Sequence, residues 1–173
     1  AIAQCLVGSE MCIRDRFIDA KENLSIQVHP TEAYARRHEN DNGKNEMWYI
    51  VDAEADAFIY VGFNCNTSRK EVARRVKDGS IVEILNKIPV HKGDSFFIPA
   101  GTVHAIGAGC LICEIQQTSN VTYRLYDYGR LDHDGKPRTL NVKKALDVLN
   151  YKRMEIELDE ESGLYHIGAA SAK

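Results

Sequence analysis

Residues 93 to 130 read GDSFFIPAGTVHAIGAGCLICEIQQTSNVTYRLYDYGR, and this stretch decides the fold. Near its centre, Pro99 and Gly101 predict a tight turn between an aromatic strand at residues 95–98 and a second short strand. A rigid turn fixes the direction in which a following side chain leaves the backbone, and here that side chain is His104. We therefore expect the chemistry of this protein to be centred on His104.

The composition limits the class of protein. The chain has 173 residues, of which 44% are hydrophobic and 27% are charged, so it can bury one core as one domain. Its formal net charge of -3 offers no general attraction to nucleic acid or to a membrane surface. No run reaches the roughly 18 apolar residues that a membrane span needs. We expect a soluble protein.

The five cysteines bear on the cellular compartment. An odd number in a chain of this size argues against a disulfide framework and favours a reducing, cytoplasmic setting. Cys110 and Cys113 are three residues apart within an apolar strand, so their side chains point to opposite faces. We interpret both as thiols of the core.

Residues 24 to 29, LSIQVH, alternate between apolar and polar side chains, as in a strand with one buried face. Gln27 and His29 share the polar face, so both side chains are directed at one point. In a later strand, which begins KNEMWY, Glu46 lies two residues after Lys44, the same spacing as between Gln27 and His29. Glu46 fits a solvated strand end, and with Lys44 it also fits a metal and anion site.

Four residues on three predicted strands could act together. They offer two imidazoles, one carboxylate and one amide oxygen, all of which are ligands of divalent metals. A single buried histidine is usually no more than a hydrogen-bonded core residue, but the four contexts together favour a metal site. The four residues are Gln27, His29, Glu46 and His104.

The spacing from Gly93 through Pro99 and Gly101 to His104 resembles the second sequence motif of the cupins. That resemblance implies a mainly β protein with the cupin-type double-stranded β-helix, a jelly-roll barrel that holds a metal inside, together with a few short helices. One departure is Ala108, which stands where an asparagine often follows the histidine.

Four blocks resemble, in order, the type I mannose-6-phosphate isomerases of the short bacterial kind: LSIQVHP, GKNEMWY, PAGTVHAIGAG and CEIQQTSNVTYRLYDYGR. The resemblance covers Phe17 to about Tyr151. It implies a cytoplasmic enzyme of carbohydrate metabolism that interconverts mannose 6-phosphate and fructose 6-phosphate through a cis-enediol. It further implies one zinc ion per chain on Gln27, His29, Glu46 and His104.

The same resemblance implies roles for four further side chains. Lys44 and Arg124 would be active-site cations that contact the substrate, a small sugar phosphate. Ser25 and Glu114 would line the cavity. We favour Glu114 as the carboxylate that transfers the proton, with Lys44 or a zinc-bound water as alternatives.

Two departures from this family concern proton transfer, because Arg16 stands where a lysine is common and Asn120 stands where many members have aspartate. Residues 1–16 look unlike the rest, so we predict a foreign or disordered leader there. We predict a partial catalytic cupin domain at 17–151 and the truncated start of a C-terminal β region at 152–173. Family members are about twice the size of this domain, so we expect a fragment, which puts the activity of the chain itself in doubt.

Two other functions fit part of the pattern. An iron-dependent cupin oxygenase would use two histidines and one glutamate as a facial triad, although a fourth ligand from Gln27 would leave fewer positions for oxygen and substrate. A non-catalytic sugar-binding cupin would bind a sugar phosphate without converting it. Metal analysis with oxygen consumption would identify the first, and a turnover assay would distinguish the second.

Overall fold

The computed structural model describes residues 13–159 and 164–169. Within them, eleven β-strands are interspersed with three α-helices and a 3-10 helix at Ser80–Ile84. None of these helices is both long enough and apolar enough to span a bilayer. The helices are α1 (Glu32–His38), α2 (Arg69–Asp78) and α3 (Val142–Val148). The strands are β1 (Ile13–Ala20), β2 (Ile26–Val28), β3 (Glu46–Ala53), β4 (Phe58–Phe63), β5 (Leu85–Pro89), β6 (Ser95–Ile98), β7 (His104–Ile106), β8 (Cys110–Gln117), β9 (Tyr123–Tyr126), β10 (Met154–Asp159) and β11 (Leu164–Ala169).

The strands form two sheets. One has six strands in the order β1-β8-β3-β6-β11-β10, and the other has five in the order β5-β4-β7-β2-β9. Neighbouring strands are antiparallel except for β6 and β11, which run parallel. This pair of sheets with a few short helices confirms the mainly β architecture expected from the sequence.

Side-chain alternation gives the six-stranded sheet one buried face. In β3, Glu46, Trp48 and Ile50 are buried, whereas Met47 and Tyr49 are exposed. The buried face packs with apolar residues of β4 and β7, so this core layer lies between the two sheets. A second apolar layer covers the other face of the five-stranded sheet, where α2 and α3 pack. The residues between the sheets are therefore removed from water on both sides.

The turn between β6 and β7 is held by backbone hydrogen bonds. Gly101 has a φ of +86°, and a Cβ at this position would lie 3.0 Å from the carbonyl oxygen of Val148, so glycine is required. Its N–H donates to the carbonyl of His29 at 2.8 Å, and its own carbonyl accepts from the N–H of Asn150 at 2.9 Å. These bonds fix the turn against the end of β2 and the residues after α3, and thereby orient His104.

β1 begins four residues before the predicted start of the domain. It pairs with β8 in an antiparallel register that places Arg16 opposite Glu114. Residues 13–16, which we assigned to the leader, thus form part of the sheet, because backbone pairing with β8 holds them there. Residues 1–12 lie outside the described part of the chain.

The predicted C-terminal β region contains the last two strands. β10 and β11 form an antiparallel pair. β11 also pairs with β6, and the ring of Tyr165 stacks on Phe96 with 4.4 Å between centroids. Both strands extend the six-stranded sheet, and the domain boundary after Tyr151 stays a prediction.

Candidate metal centre

Three buried side chains meet between the sheets. His29 follows β2, Glu46 begins β3 and His104 begins β7. Their ligand atoms all lie within 4.8 Å of one another. His29 Nε2 is 3.0 Å from Glu46 Oε1, and His104 Nε2 is 3.8 Å from Glu46 Oε2. None of the three residues is more than 2% exposed, so a single ion could bind all three in the absence of bulk water.

Each imidazole is oriented by a backbone carbonyl. His29 Nδ1 donates to the carbonyl of Val121 at 3.0 Å, and His104 Nδ1 donates to the carbonyl of Thr102 at 2.9 Å. A carbonyl can only accept, so each Nδ1 carries a proton, and in the neutral imidazole each Nε2 then has a free lone pair. Both Nε2 atoms lie beside Glu46, which is the arrangement that metal-binding histidines need.

The two oxygens of Glu46 have different partners. Oε2 accepts a hydrogen bond from the indole N–H of Trp48 at 3.0 Å. Oε1 lies 3.1 Å from Lys44 Nζ and 3.0 Å from His29 Nε2, but within the described residues neither Oε1 nor His29 Nε2 has an aligned hydrogen bond. Buried polar atoms without hydrogen bonds are unfavourable, and a cation between these two would compensate both. The residues present therefore fit a divalent metal.

Gln27 is adjacent to this cluster. It lies opposite His104 in the pairing of β2 with β7, and its amide Nε2 is 3.4 Å from His104 Nε2. To act as a ligand, the amide would have to direct its oxygen to the same point. The structure thus brings Gln27 to the other three residues, and its role as a fourth ligand stays a prediction.

Burial controls the protonation of the cluster. It lowers the pKa of His104 to about 4, with a further lowering from the charge on His29. It also lowers the pKa of His29. Burial alone would raise the pKa of Glu46, but the interactions with His29, His104 and Lys44 outweigh it and hold that pKa well below its usual range. Neutral imidazoles beside an ionised carboxylate are the forms that bind a metal.

Trp48→Phe is expected to weaken metal binding about 10- to 100-fold, because Glu46 would lose the donor that orients it. The affinity would be measured by competition with a chelator of known strength. Tyr49→Phe is the matched control, since Tyr49 is exposed on the opposite face of the same strand. Equal metal affinity in Trp48→Phe and the unsubstituted protein would show that the indole does not support the ligand.

A second polar layer borders the cluster. Lys44 Nζ donates to Gln116 Oε1 at 2.8 Å, and Arg16 Nε donates to Glu114 Oε1 at 2.7 Å. Both Lys44 and Glu114 are buried. Burial and the nearby charge of Glu46 raise the pKa of Glu114, so this carboxyl retains a proton more readily than an exposed glutamate.

The two departures from the family pattern lie in different environments. Arg16 contacts the buried Glu114, whereas Asn120 is at the surface, where its Oδ1 accepts from Arg14 NH1 at 3.0 Å. An arginine stays protonated in proteins, so Arg16 can orient a carboxylate but cannot exchange a proton with it.

Two further residues implicated by the sequence lie near the cluster. Ser25 is 6% exposed and directly precedes β2, but none of the described hydrogen bonds of the cluster involves it. Arg124 lies opposite Gln27 in the pairing of β2 with β9, and its NH1 donates to the carbonyl of Thr139 at 3.0 Å. The register therefore places Arg124 one strand away from the predicted ligands.

A cavity of about 610 Å³ adjoins the polar layer. Lys44, Glu46 and Gln116 line it together with the apolar side chains of Met47 and Phe97. This volume lies within the range of small-molecule binding sites.

The groups that orient the predicted ligands were not among the residues predicted from the sequence. Trp48 could have been found, because it lies two residues after Glu46 and must share its face. Gln116 could also have been found, because it lies two residues after Glu114 on the same strand face. The carbonyls of Thr102 and Val121 carry no sequence signal, since every residue has a carbonyl group.

Two sheets that enclose a cluster of two histidines and one glutamate define a protein of cupin fold with a potential metal site. No protein-family model matches the chain. The chain is 46% identical over 145 residues to mannose-6-phosphate isomerase ManA of Bacillus subtilis and 44% identical over 134 residues to mannose-6-phosphate isomerase of Streptococcus mutans. These alignments cover 83% and 78% of this chain, but 46% and 42% of the relatives.

A solved structure of a mannose 6-phosphate isomerase is also similar to this chain, in both fold and sequence. The crystal structure of the mannose 6-phosphate isomerase from Bacillus subtilis matches with a TM-score of 0.75 and 35% identity, over 86% of this chain and 49% of that chain. The chain is a homologue of the mannose-6-phosphate isomerases across this shared segment. It spans about half the length of the relatives it matches.

Proposed function

We propose that this protein interconverts mannose 6-phosphate and fructose 6-phosphate, with one zinc ion per chain bound by Gln27, His29, Glu46 and His104. The main support is the pair of unprotonated Nε2 atoms beside Glu46, in the segment that is homologous to the isomerases. Two imidazoles and a carboxylate are a donor set that zinc commonly binds. Bound zinc would supply Lewis-acid stabilisation of the negative charge that develops next to the reacting carbon.

The reaction moves a proton between C2 and C1 of the sugar through a cis-enediol. Glu114 suits this role because burial and the charge of Glu46 raise its pKa, so it takes up a proton more readily than an exposed carboxylate. Arg16 Nε holds Oε1 of Glu114 and so orients the carboxyl group. Lys44 is the alternative, because its ammonium lies 3.1 Å from Glu46 Oε1 within the same buried layer.

Substrate binding depends on positive charge in a chain whose net charge is -3. Lys44 and Arg124 would pair with oxygens of the sugar phosphate, and Ser25 would lie beside them in the substrate site. The phosphate is remote from C1 and C2, so its binding energy can position the sugar without taking part in the chemistry. A phosphorylated sugar substrate also fits a cytoplasmic role in carbohydrate metabolism.

The proposal can be tested in a chimera in which the aligned segment of this chain replaces the corresponding 145 residues of Bacillus subtilis ManA. The chimera should convert mannose 6-phosphate, lose activity to a chelator and recover it with zinc. Arg124→Ala should lower kcat/KM on the order of 10²-fold, because a fixed cation has no substitute. Arg37→Ala, at an exposed position of α1, should leave kcat/KM unchanged.

Other outcomes would support other functions. A folded, metal-loaded chimera that binds fructose 6-phosphate without turnover would indicate a sugar-binding protein. Iron in the purified protein together with oxygen consumption would indicate an oxygenase. Near wild-type kcat/KM in Arg124→Ala would remove that residue from the site.

A further inference from the structure

A buried amide joins the metal cluster to the second polar layer. Gln116 is 2% exposed and lies on β8, opposite Glu46 in the pairing with β3. Its side-chain oxygen Oε1 accepts a hydrogen bond from Lys44 Nζ at 2.8 Å and one from Arg16 NH2 at 3.3 Å. The amide therefore connects Lys44, at the metal cluster, to Arg16, at Glu114.

The two cations determine which way the amide faces. Lysine and arginine side chains can only donate hydrogen bonds, so the atom of Gln116 that faces both Lys44 and Arg16 must be the oxygen. The reverse orientation would place amide N–H groups against an ammonium and a guanidinium. The nitrogen Nε2 therefore keeps its two N–H donors on the side of the amide that faces away from both cations.

This nitrogen has no acceptor within the protein. Nε2 of Gln116 is buried and lacks a hydrogen-bond partner among the residues that the structure describes. A buried donor without an acceptor is unfavourable, so a ligand that supplies an acceptor would compensate it. Gln116 lines the cavity of about 610 Å³ together with Lys44 and Glu46. A molecule bound in this cavity can therefore present an oxygen atom to Nε2.

The neighbours of Gln116 indicate the chemistry of that oxygen. A charged oxygen forms a stronger hydrogen bond with a cation than with a neutral amide, and Lys44 lies 2.8 Å from the same side chain. The neutral N–H groups of Gln116 are therefore suited to a neutral oxygen, such as that of a sugar hydroxyl group.

We propose that Gln116 donates a hydrogen bond from Nε2 to one hydroxyl group of the sugar, while Lys44 and Arg16 hold the amide in this orientation through Oε1. The contact would make the sugar chain, in addition to its phosphate, a determinant of binding. An amide donor that is buried and otherwise unpaired discriminates against a ligand that lacks its acceptor. This inference rests on the proposed function for the identity of the ligand.

The test is calorimetric titration of the metal-loaded protein with fructose 6-phosphate and with its monodeoxy analogues, each of which lacks one hydroxyl group of the carbon chain. Gln116→Met has a similar length but no N–H group, so it should weaken binding of fructose 6-phosphate roughly 3- to 10-fold. For one analogue the same substitution should cause no loss, because the acceptor of the hydrogen bond is already absent. A general disturbance of the site would weaken the binding of every ligand equally.

A second variant separates the two ends of the amide. Gln116→Glu keeps an oxygen for Lys44 and Arg16, and beside these cations it stays ionised and has no proton to donate. It should therefore lose affinity as Gln116→Met does, and it gives the same comparison among ligands if Gln116→Met does not fold. Leu111→Met is the matched control, since Leu111 lies on the opposite face of the same strand and should leave all affinities unchanged.

The outcomes separate this inference from the proposed function. An equal loss for every ligand in Gln116→Met, full affinity in Gln116→Glu, or no binding of fructose 6-phosphate by the unsubstituted protein would overturn the inference. If the loss depends on one hydroxyl group while the chimera with ManA has no isomerase activity, the contact stands and the proposed function fails. An active chimera with an equal loss for every ligand would give the reverse result.

Discussion

His104→Ala is expected to abolish metal retention, with a loss of affinity that exceeds the roughly 10- to 100-fold effect of removing a group that only orients a ligand. The substitution deletes one of three ligand atoms that lie within 4.8 Å of one another. The lost atom is held on a turn whose backbone is fixed to the ends of β2 and α3, so no other side chain can replace it without rebuilding the turn. Metal content after dialysis, measured by atomic emission, gives the result directly.

Two controls make this measurement specific. His91→Ala removes a histidine that is 80% exposed and should leave the metal content unchanged. Gln27→Ala should cost less than His104→Ala, because a neutral amide is a weaker ligand than an imidazole. Because His104 is also 1% exposed, His104→Gln serves as a variant of similar volume that leaves a smaller void. Wild-type metal content in His104→Ala would exclude this residue as a ligand. A loss of metal in His104→Gln as well would show that the imidazole, and not the void left by alanine, is responsible.

Acidification from pH 6.5 to pH 4 is expected to lower the free energy of unfolding of the metal-free protein by about 3 kcal/mol through His104 alone. Burial lowers the pKa of His104 from 6.5 to about 4 in the folded protein. Between these values the unfolded chain binds a proton that the folded chain does not, so stability must rise with pH in this window and fall as pH decreases. The lowered pKa of His29 acts in the same direction.

Urea unfolding at several pH values across this window tests the expectation. His104→Gln should flatten the pH dependence, because the substituted side chain does not titrate. The exposed His133, with 90% of its side chain accessible, offers the control His133→Ala, which should retain the full slope. An unchanged slope in His104→Gln would mean that another group governs the acid sensitivity.

The local features of this protein could be predicted from its sequence. The period of two in residues 24–29 places Gln27 and His29 on one face, and the same rule places Trp48 with Glu46. Pro99 and Gly101 predict the turn before β7, and the structure has Gly101 at a φ of +86°. Each of these features depends on neighbours within a few residues, where steric and hydrogen-bonding preferences act directly.

The arrangement of the site was decided only by tertiary structure. Gln27 and His104 are 77 residues apart in the chain, and the strand register that joins them follows from burial of both sheets rather than from either segment. The pairing of β1 with β8 likewise brings Arg16 to Glu114, although the sequence of residues 1–16 suggested no packed strand before Phe17. Local patterns specify which face of a strand a side chain occupies. Pairing across the sheets determines which faces meet, and the resulting desolvation determines how the pKa values of the side chains shift.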